Sequence, residues 1–330
     1  MNIKILSRND VKRSVTMPQA IDAVKQAFIS LAQKKAILPL RTQVAIKKYE
    51  GITLFMPAYL PETESLGTKI VSVFPQNAKN NIPTIHAVVI VFEAKTGQPS
   101  AMMDGTYLTA LRTGAVSGVA TDLLARKDAK TAAIFGAGVQ GRTQLDAICC
   151  VRNIQKVLVY DKNLHAARSF SEEMQRRGKP IPEDIVIVDS PKNAVTEADV
   201  ICVATTSSVP VFKDKHLKSG VHINGVGSFT PKMQEIPEET ILRAKVVVDS
   251  VTASLEEAGD LIIPLQKGLI DESHIQGELG QVASGLFSVR ESETDITFFK
   301  SVGLAIQDVA VAKLALRKAG ELGLGRDLEL

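Results

Sequence analysis

Thr131-Ala132-Ala133-Ile134-Phe135-Gly136-Ala137-Gly138-Val139-Gln140-Gly141 decides the fold of this chain. An apolar strand runs into a glycine turn, and the turn opens a helix. Gly136 permits the tight turn, and Gly138 lets a pyrophosphate approach the backbone. The free N–H groups at the helix start receive its negative charge. About twenty residues on, Val157-Leu158-Val159-Tyr160-Asp161 reads as a second strand ending in a carboxylate, placed to hold the hydroxyls of an adenine ribose. Gln140 and Gly141 replace the small pair more usual at those places. Strand, turn, helix and acidic strand end in register predict a nicotinamide dinucleotide site. Asp161 favours NADH, because a 2′-phosphate would be repelled there. Lys162 beside it partly relieves that repulsion and leaves NADPH open.

Working outward, strand and helix periods alternate. Strand candidates are 131–136, 156–161, 185–190, 200–205, 221–226 and 246–250, with helices notably at 138–151 and 164–177. Six apolar strands at this spacing predict a doubly wound parallel sheet covered on both faces, a Rossmann-type α/β domain over residues 119–304. Val139 and Gln140 in the loop, Thr205 and Thr206 after the fourth strand, and Val226, Gly227 and Ser228 after the fifth join the expected cofactor set.

Residues 1–118 read differently. Pro18 to Gln33 has helical periodicity, and 40–46, 52–56, 69–74 and 85–92 alternate or run apolar between turns. This predicts an α+β domain, left through a long helix from Tyr107 to Ala125. The amphipathic stretch from Ile306 to Ala315 is expected to return to it, giving 1–118 with 305–330.

Composition narrows the classes. The 330 residues are 45% hydrophobic and 23% charged, with 39 Lys plus Arg against 36 Asp plus Glu, an ordinary globular balance at +3. No basic block points to nucleic acid, and no segment approaches the ~18 apolar residues of a membrane span. The start, Met1 to Arg8, lacks the apolar run of a signal peptide. Cys149, Cys150 and Cys202 show no disulfide or metal spacing, and the adjacent pair reads as buried on the first Rossmann helix. A reducing, cytoplasmic setting is expected.

Three isolated cations in the first domain address what receives the hydride. Arg41 follows Leu38-Pro39-Leu40, Lys69 starts an otherwise apolar strand, and Arg112 stands among small and apolar residues where a cation needs a partner. Arginine grips a carboxylate bidentately, and lysine supplies a point charge and a transferable proton. From the residues alone, structural salt bridges or a snorkelling lysine compete with this reading. His86 in its apolar strand reads as structural before catalytic. Asp308 reads as a surface or interface salt bridge, with the orienting of Lys69 the second reading. Asp104 caps the long helix, and Glu278 anchors a loop.

The runs Asp104-Gly105-x-x-Leu108-Thr109-x-x-Arg112-Thr113-Gly114-Ala115, Gly67-x-Lys69-x-Val71, Gly136-x-Gly138-x-Gln140 and Gly277-Glu278-Leu279-Gly280 resemble the signature of the ornithine cyclodeaminase/μ-crystallin family over essentially the whole chain. That family includes ornithine cyclodeaminases, archaeal-type alanine dehydrogenases, ketimine reductases and Δ1-pyrroline-2-carboxylate reductases. The resemblance implies a Rossmann domain and a second domain, built from both chain ends, that binds substrate and pairs in a homodimer. It implies that Arg41, Lys69 and Arg112 hold a substrate carboxylate, and that Thr84, Lys300 and Ser301 lie near the nicotinamide and its ribose.

Departures choose among the members. Where ornithine cyclodeaminases carry a Glu and an Asp for the substrate's amino groups, this chain has Leu54 and Phe229. Apolar side chains there would leave a buried ammonium unpaired. A clamp with hydrocarbon walls suits a small cyclic imino acid, and the expected reaction is reduction of Δ1-pyrroline-2-carboxylate to proline with Lys69 as the catalytic cation. An alanine dehydrogenase acting on pyruvate and ammonia stays open, as does a non-catalytic binder, and ornithine cyclisation is the least favoured activity.

Overall fold

Short apolar runs bracketed by turns are stable as parallel strands when both faces are covered, and residues 113–303 form eight strands, not six. The computed structural model describes residues 2–329 and divides into two units, Met1–Arg112 with Leu304–Leu330, and Thr113–Gly303. In the second unit the sheet order is Ile275–Glu278, Lys245–Val248, Thr297–Lys300, His222–Gly225, Val200–Val203, Thr131–Phe135, Lys156–Tyr160 and Asp184–Ile187. Every neighbouring pair is parallel. The two unexpected strands have plain causes. Ile275–Glu278 is a short, polar, bulged edge strand, and Thr297–Lys300 ends on a lysine that reads as a loop.

Two apolar layers sandwich this sheet. Phe135, Ile201, Val203, Ile223, Val246 and Phe298 fill one, and Ile134, Ile148, Val157, Val159 and Phe170 fill the other. Thr131–Phe135 lies where strand order reverses, flanked by Val200–Val203 and Lys156–Tyr160. Ligands of open α/β sheets bind outside the carboxyl ends of strands at such a reversal.

The first unit holds a seven-stranded sheet ordered Arg326–Glu329, Asn2–Leu6, Pro99–Asp104, Ile85–Phe92, Ser65–Val73, Gly51–Leu60 and Thr42–Ile46. The strands at both chain ends and Pro99–Asp104 are additions to the sequence reading, as is the helix Arg8–Ser14. Helices Met17–Ala32 and Ala305–Glu321 pack together, and the second lies on Ser65–Val73 and Gly51–Leu60. That helix is less amphipathic than its sequence predicts: Ala305 to Ala312 are buried without a break, because small side chains let it sink against the sheet. Lys69 is the fifth residue of its strand, not the first. The unit boundary falls within the long helix Gly105–Leu124, whose start is capped by Asp104 Oδ1, 2.7 Å from the Tyr107 N–H. Among the described residues no helix is long and apolar enough to cross a membrane.

Candidate functional site

Lys69 alternates inward with Gly67 and Val71 on Ser65–Val73 and pairs in register with Met56 and Val89. Only 2% of its side chain reaches solvent. Its ammonium lies 2.7 Å from Asp308 Oδ2, and the other oxygen, Oδ1, accepts from Arg112 Nε at 3.0 Å. Arg112 Nη1 donates to Gln307 Oε1 at 2.6 Å. Asp308 and Gln307 are wholly buried, so Asp308 is no surface salt bridge; it is the shared counter-ion of two buried cations. One carboxylate against two cations leaves this trio with a net positive charge, costly to bury unless an anion joins it.

The charge imbalance shows in Lys69. Burial, and then the Arg112 charge, push its ammonium down to about 8, against the pull of Asp308, and Arg41 lowers it further. Arg41 precedes the edge strand Thr42–Ile46. The structure thus brings all three predicted cations into one field. Asp308 holds Nε of Arg112 and Gln307 holds Nη1, so two fixed acceptors orient the guanidinium plane. Leu54 stands on the same face as Lys69, paired with Val71. Thr84 precedes the strand Ile85–Phe92, its carbonyl tied to the Phe74 N–H. His86 is exposed on that strand opposite Ser72, so it is not the packed structural histidine the sequence pointed to.

In the other unit the glycine loop has the shape its sequence predicts. Gly136 turns at φ +93°, where a side chain would strain the backbone and a Cβ would strike Ala204 O. Gly138 is the N-cap of Val139–Val151 and offers no side-chain cap, so the first-turn N–H groups have no cap acceptor. Val139 is exposed, and Gln140 Oε1 is buried with no hydrogen-bond partner among the described residues. Asp161 braces the loop: Oδ2 accepts from the Ala137 N–H and Oδ1 from the Asn163 N–H, each at 2.7 Å. Lys162 beside it is exposed. An uncapped helix start with an open Gly138 offers N–H donors for a pyrophosphate, the acidic strand end offers an acceptor for ribose hydroxyls, and the residues present fit a dinucleotide.

Of the remaining expected cofactor residues, Thr206 is exposed and Val226 is half-buried at the strand ends; Phe229, expected at the substrate, is exposed. Thr205, Gly227 and Ser228 turn their N–H groups inward to Glu235. Lys300 is fully buried 3.3 Å from Asp260 Oδ2, and Ser301 Oγ donates to Asp249. Those two side chains are committed to the interior rather than projecting from the strand end. Glu278 accepts from the Val251 N–H, as a loop anchor would.

Sequence reasoning missed Gln307, Glu235 and Asp260. A Gln-Asp pair inside the small apolar run from Leu304 to Ala312 was a usable signal for the first. Glu235 sits in an aperiodic segment, and only the tertiary structure reveals its role.

The model of the ornithine cyclodeaminase/mu-crystallin family matches residues 1–321. The chain belongs to the ornithine cyclodeaminase/mu-crystallin family. It is 42% identical over 327 residues to a Delta(1)-pyrroline-2-carboxylate reductase of Bacillus cereus, covering 98% of this chain and 99% of that protein. Among solved structures it is similar to the Thermococcus litoralis Delta(1)-pyrroline-2-carboxylate reductase in complex with NADH and L-proline, with TM-score 0.95 and 46% identity over 99% of this chain and 100% of that one. An archaeal alanine dehydrogenase dimer with bound NAD matches at TM-score 0.92 and 35% identity, with both chains covered in full.

Proposed function

We propose that this chain reduces the cyclic imine Δ1-pyrroline-2-carboxylate to L-proline with NADH. The observation that carries the reading is the buried trio Lys69–Asp308–Arg112, which is short of one negative charge that a substrate carboxylate supplies. Leu54 and Phe229 stand where a diamine substrate would need acids, so the reading excludes ornithine. The bacterial and archaeal reductases to which the chain is similar support the same substrate.

Arg112 and Arg41 bind the carboxylate and fix the plane of the ring, while Leu54 packs its hydrocarbon edge. The N–H groups at the start of Val139–Val151 hold the pyrophosphate, and Asp161 holds the adenine ribose. When bound, NADH supplies the hydride to the imine carbon. Lys69 holds a proton at the ring nitrogen, and an ammonium pushed down to about 8 gives it up more readily than a free lysine would. Carbon gains the hydride, nitrogen gains the proton, and the secondary amine of proline results.

The chain is proposed to work as a homodimer in the cytoplasm. Phe55, Ile70 and Val88 lie side by side in register on the sheet face away from Lys69, and Phe55, Val88, Met102 and Val44 are more than a third exposed. A second copy would cover such an apolar row. Three free cysteines suit a reducing compartment.

NADH oxidation followed with pyrroline-2-carboxylate, then with pyruvate plus ammonium, tests the assignment. Faster turnover of pyruvate would make the chain an alanine dehydrogenase; consumption of neither would reject the reductase reading.

A further inference from the structure

The carboxylate of Glu235 is wholly buried and receives four donors. The Thr205 N–H and Oγ1 reach Oε1 at 2.6 and 2.7 Å. The N–H groups of Gly227 and Ser228 reach Oε2 at 2.8 and 2.9 Å. Thr205 follows the strand Val200–Val203, and Gly227 and Ser228 follow His222–Gly225, so one side chain ties two adjacent loops at the carboxyl edge of the sheet. The approach is close enough that a Cβ on Gly227 would crowd Glu235 Oε1.

Glu235 is itself held. Its own N–H, and that of Ile236, donate to Asp260 Oδ1, and Asp260 Oδ2 lies 3.3 Å from Lys300 Nζ. Among the described residues the charged groups that act on this carboxylate are Asp260, from the helix Gly259–Gln266, and Lys300, from the strand Thr297–Lys300. Three N–H groups and a hydroxyl converge on the two oxygens of Glu235, and an amide, with one acceptor oxygen, or a hydroxyl could not satisfy them, so the site keeps an acid in spite of its desolvation cost.

We propose that Glu235 is a positioning residue for the cofactor, setting the two loops that bound the crevice on the side of the sheet opposite the Asp161 strand. This inference rests on the dinucleotide reading above. Burial, and then the Asp260 charge, push the Glu235 carboxyl up to about 7, with Lys300 opposing. Four donors need an ionised acceptor. A proton on the carboxylate occupies a lone pair that an N–H uses, so the loops loosen as pH falls through that range.

The test is NADH affinity, read by fluorescence of the bound dihydronicotinamide, for the full-length wild type and E235Q. The wild-type dissociation constant should rise several-fold from about pH 8 to about pH 6, because the ionised carboxylate is the acceptor the loops require. E235Q should bind NADH ~10-fold more weakly at the upper pH, since its –NH2 confronts N–H donors, and should lose the pH dependence. E235D, which keeps the charge, should keep the dependence. A wild-type affinity flat over this range overturns the proposal, and so does an E235Q affinity equal to wild type with only its melting temperature lowered. Should E235Q fail to fold, the wild-type titration and E235D decide. A wild type that binds no NADH at all would sink the dinucleotide reading itself, a result distinct from either.

Discussion

Lys69 Nζ and Asp308 Oδ2 meet at 2.7 Å, one from a central strand and one from the C-terminal helix, with solvent excluded from both. This contact makes the last helix of the chain part of the substrate-binding half of the proposed enzyme. It also makes Asp308 answerable to two cations, so its loss should do more than break one ion pair.

Asp308→Asn keeps shape and removes charge. Lys69 and Arg112 would then face each other without a counter-ion, and removing one partner of a buried pair costs ~3–5 kcal/mol. Urea unfolding should show a loss of that order, and kcat/KM for the imine should fall at least ~100-fold as Lys69 sheds its proton near neutrality. A variant with wild-type stability and activity would show the trio to be incidental.

The pH profile of the wild type reads Lys69 directly. Its ammonium is the active form and titrates at about 8, so kcat/KM should be level below that and fall tenfold per unit above it. A bound carboxylate returns the missing negative charge, so the corresponding fall in kcat should lie at higher pH. For stability the sign is opposite to activity. The folded lysine gives up its proton at lower pH than the unfolded one, so the unfolded chain binds more protons between about 8 and the usual lysine value near 10.5, and stability rises with pH across that window. Lys69→Met should remove both trends. A kcat/KM profile that stays level past pH 9 would leave Lys69 a binding group only.

How much of this was legible differs between the two halves of the site. The glycine loop announces itself because its constraints are local: Gly136 needs a positive φ, and Gly138 needs an empty side. Arg41, Lys69 and Arg112 stood out as isolated charges among apolar neighbours, although nothing local revealed their counter-ion, and Asp308 read as surface because helical periodicity assumes one wet face. That helix is buried all round at its start. Glu235 was invisible for a similar reason, since its four donors come from two loops distant in sequence. The strands Ile275–Glu278 and Thr297–Lys300 escaped because they are short and their polar ends carry contacts rather than turns.

Leu54→Glu should test the absence of acid from the pocket wall. Leu54 shares a sheet face with Lys69, so a carboxylate there would compete with the substrate for the cation field. The Michaelis constant for pyrroline-2-carboxylate should rise ~10-fold or more, and the kcat/KM fall should move to higher pH, as a nearby negative charge holds the lysine proton. An unchanged Michaelis constant would place substrate elsewhere on the unit.

Two alanine substitutions in the glycine loop should separate folding from cofactor binding. A Cβ on Gly141 would run into the Gly136 carbonyl oxygen, a backbone atom that cannot step aside, so Gly141→Ala should lower the melting temperature and disorder the loop. A Cβ on Gly138 meets nothing within 4 Å, and the residue's φ of −82° suits any L-amino acid. Gly138→Ala should therefore fold as well as wild type, or gain ~0.4–1 kcal/mol through a stiffer unfolded chain. The same methyl occupies the space a pyrophosphate would take against the helix start, so NADH affinity should fall ~10-fold or more. Calorimetry and a fluorescence titration on one preparation measure both. Full NADH affinity in a well-folded Gly138→Ala would mean that the phosphates do not bind at this loop, because no protein atom hides that methyl from the ligand.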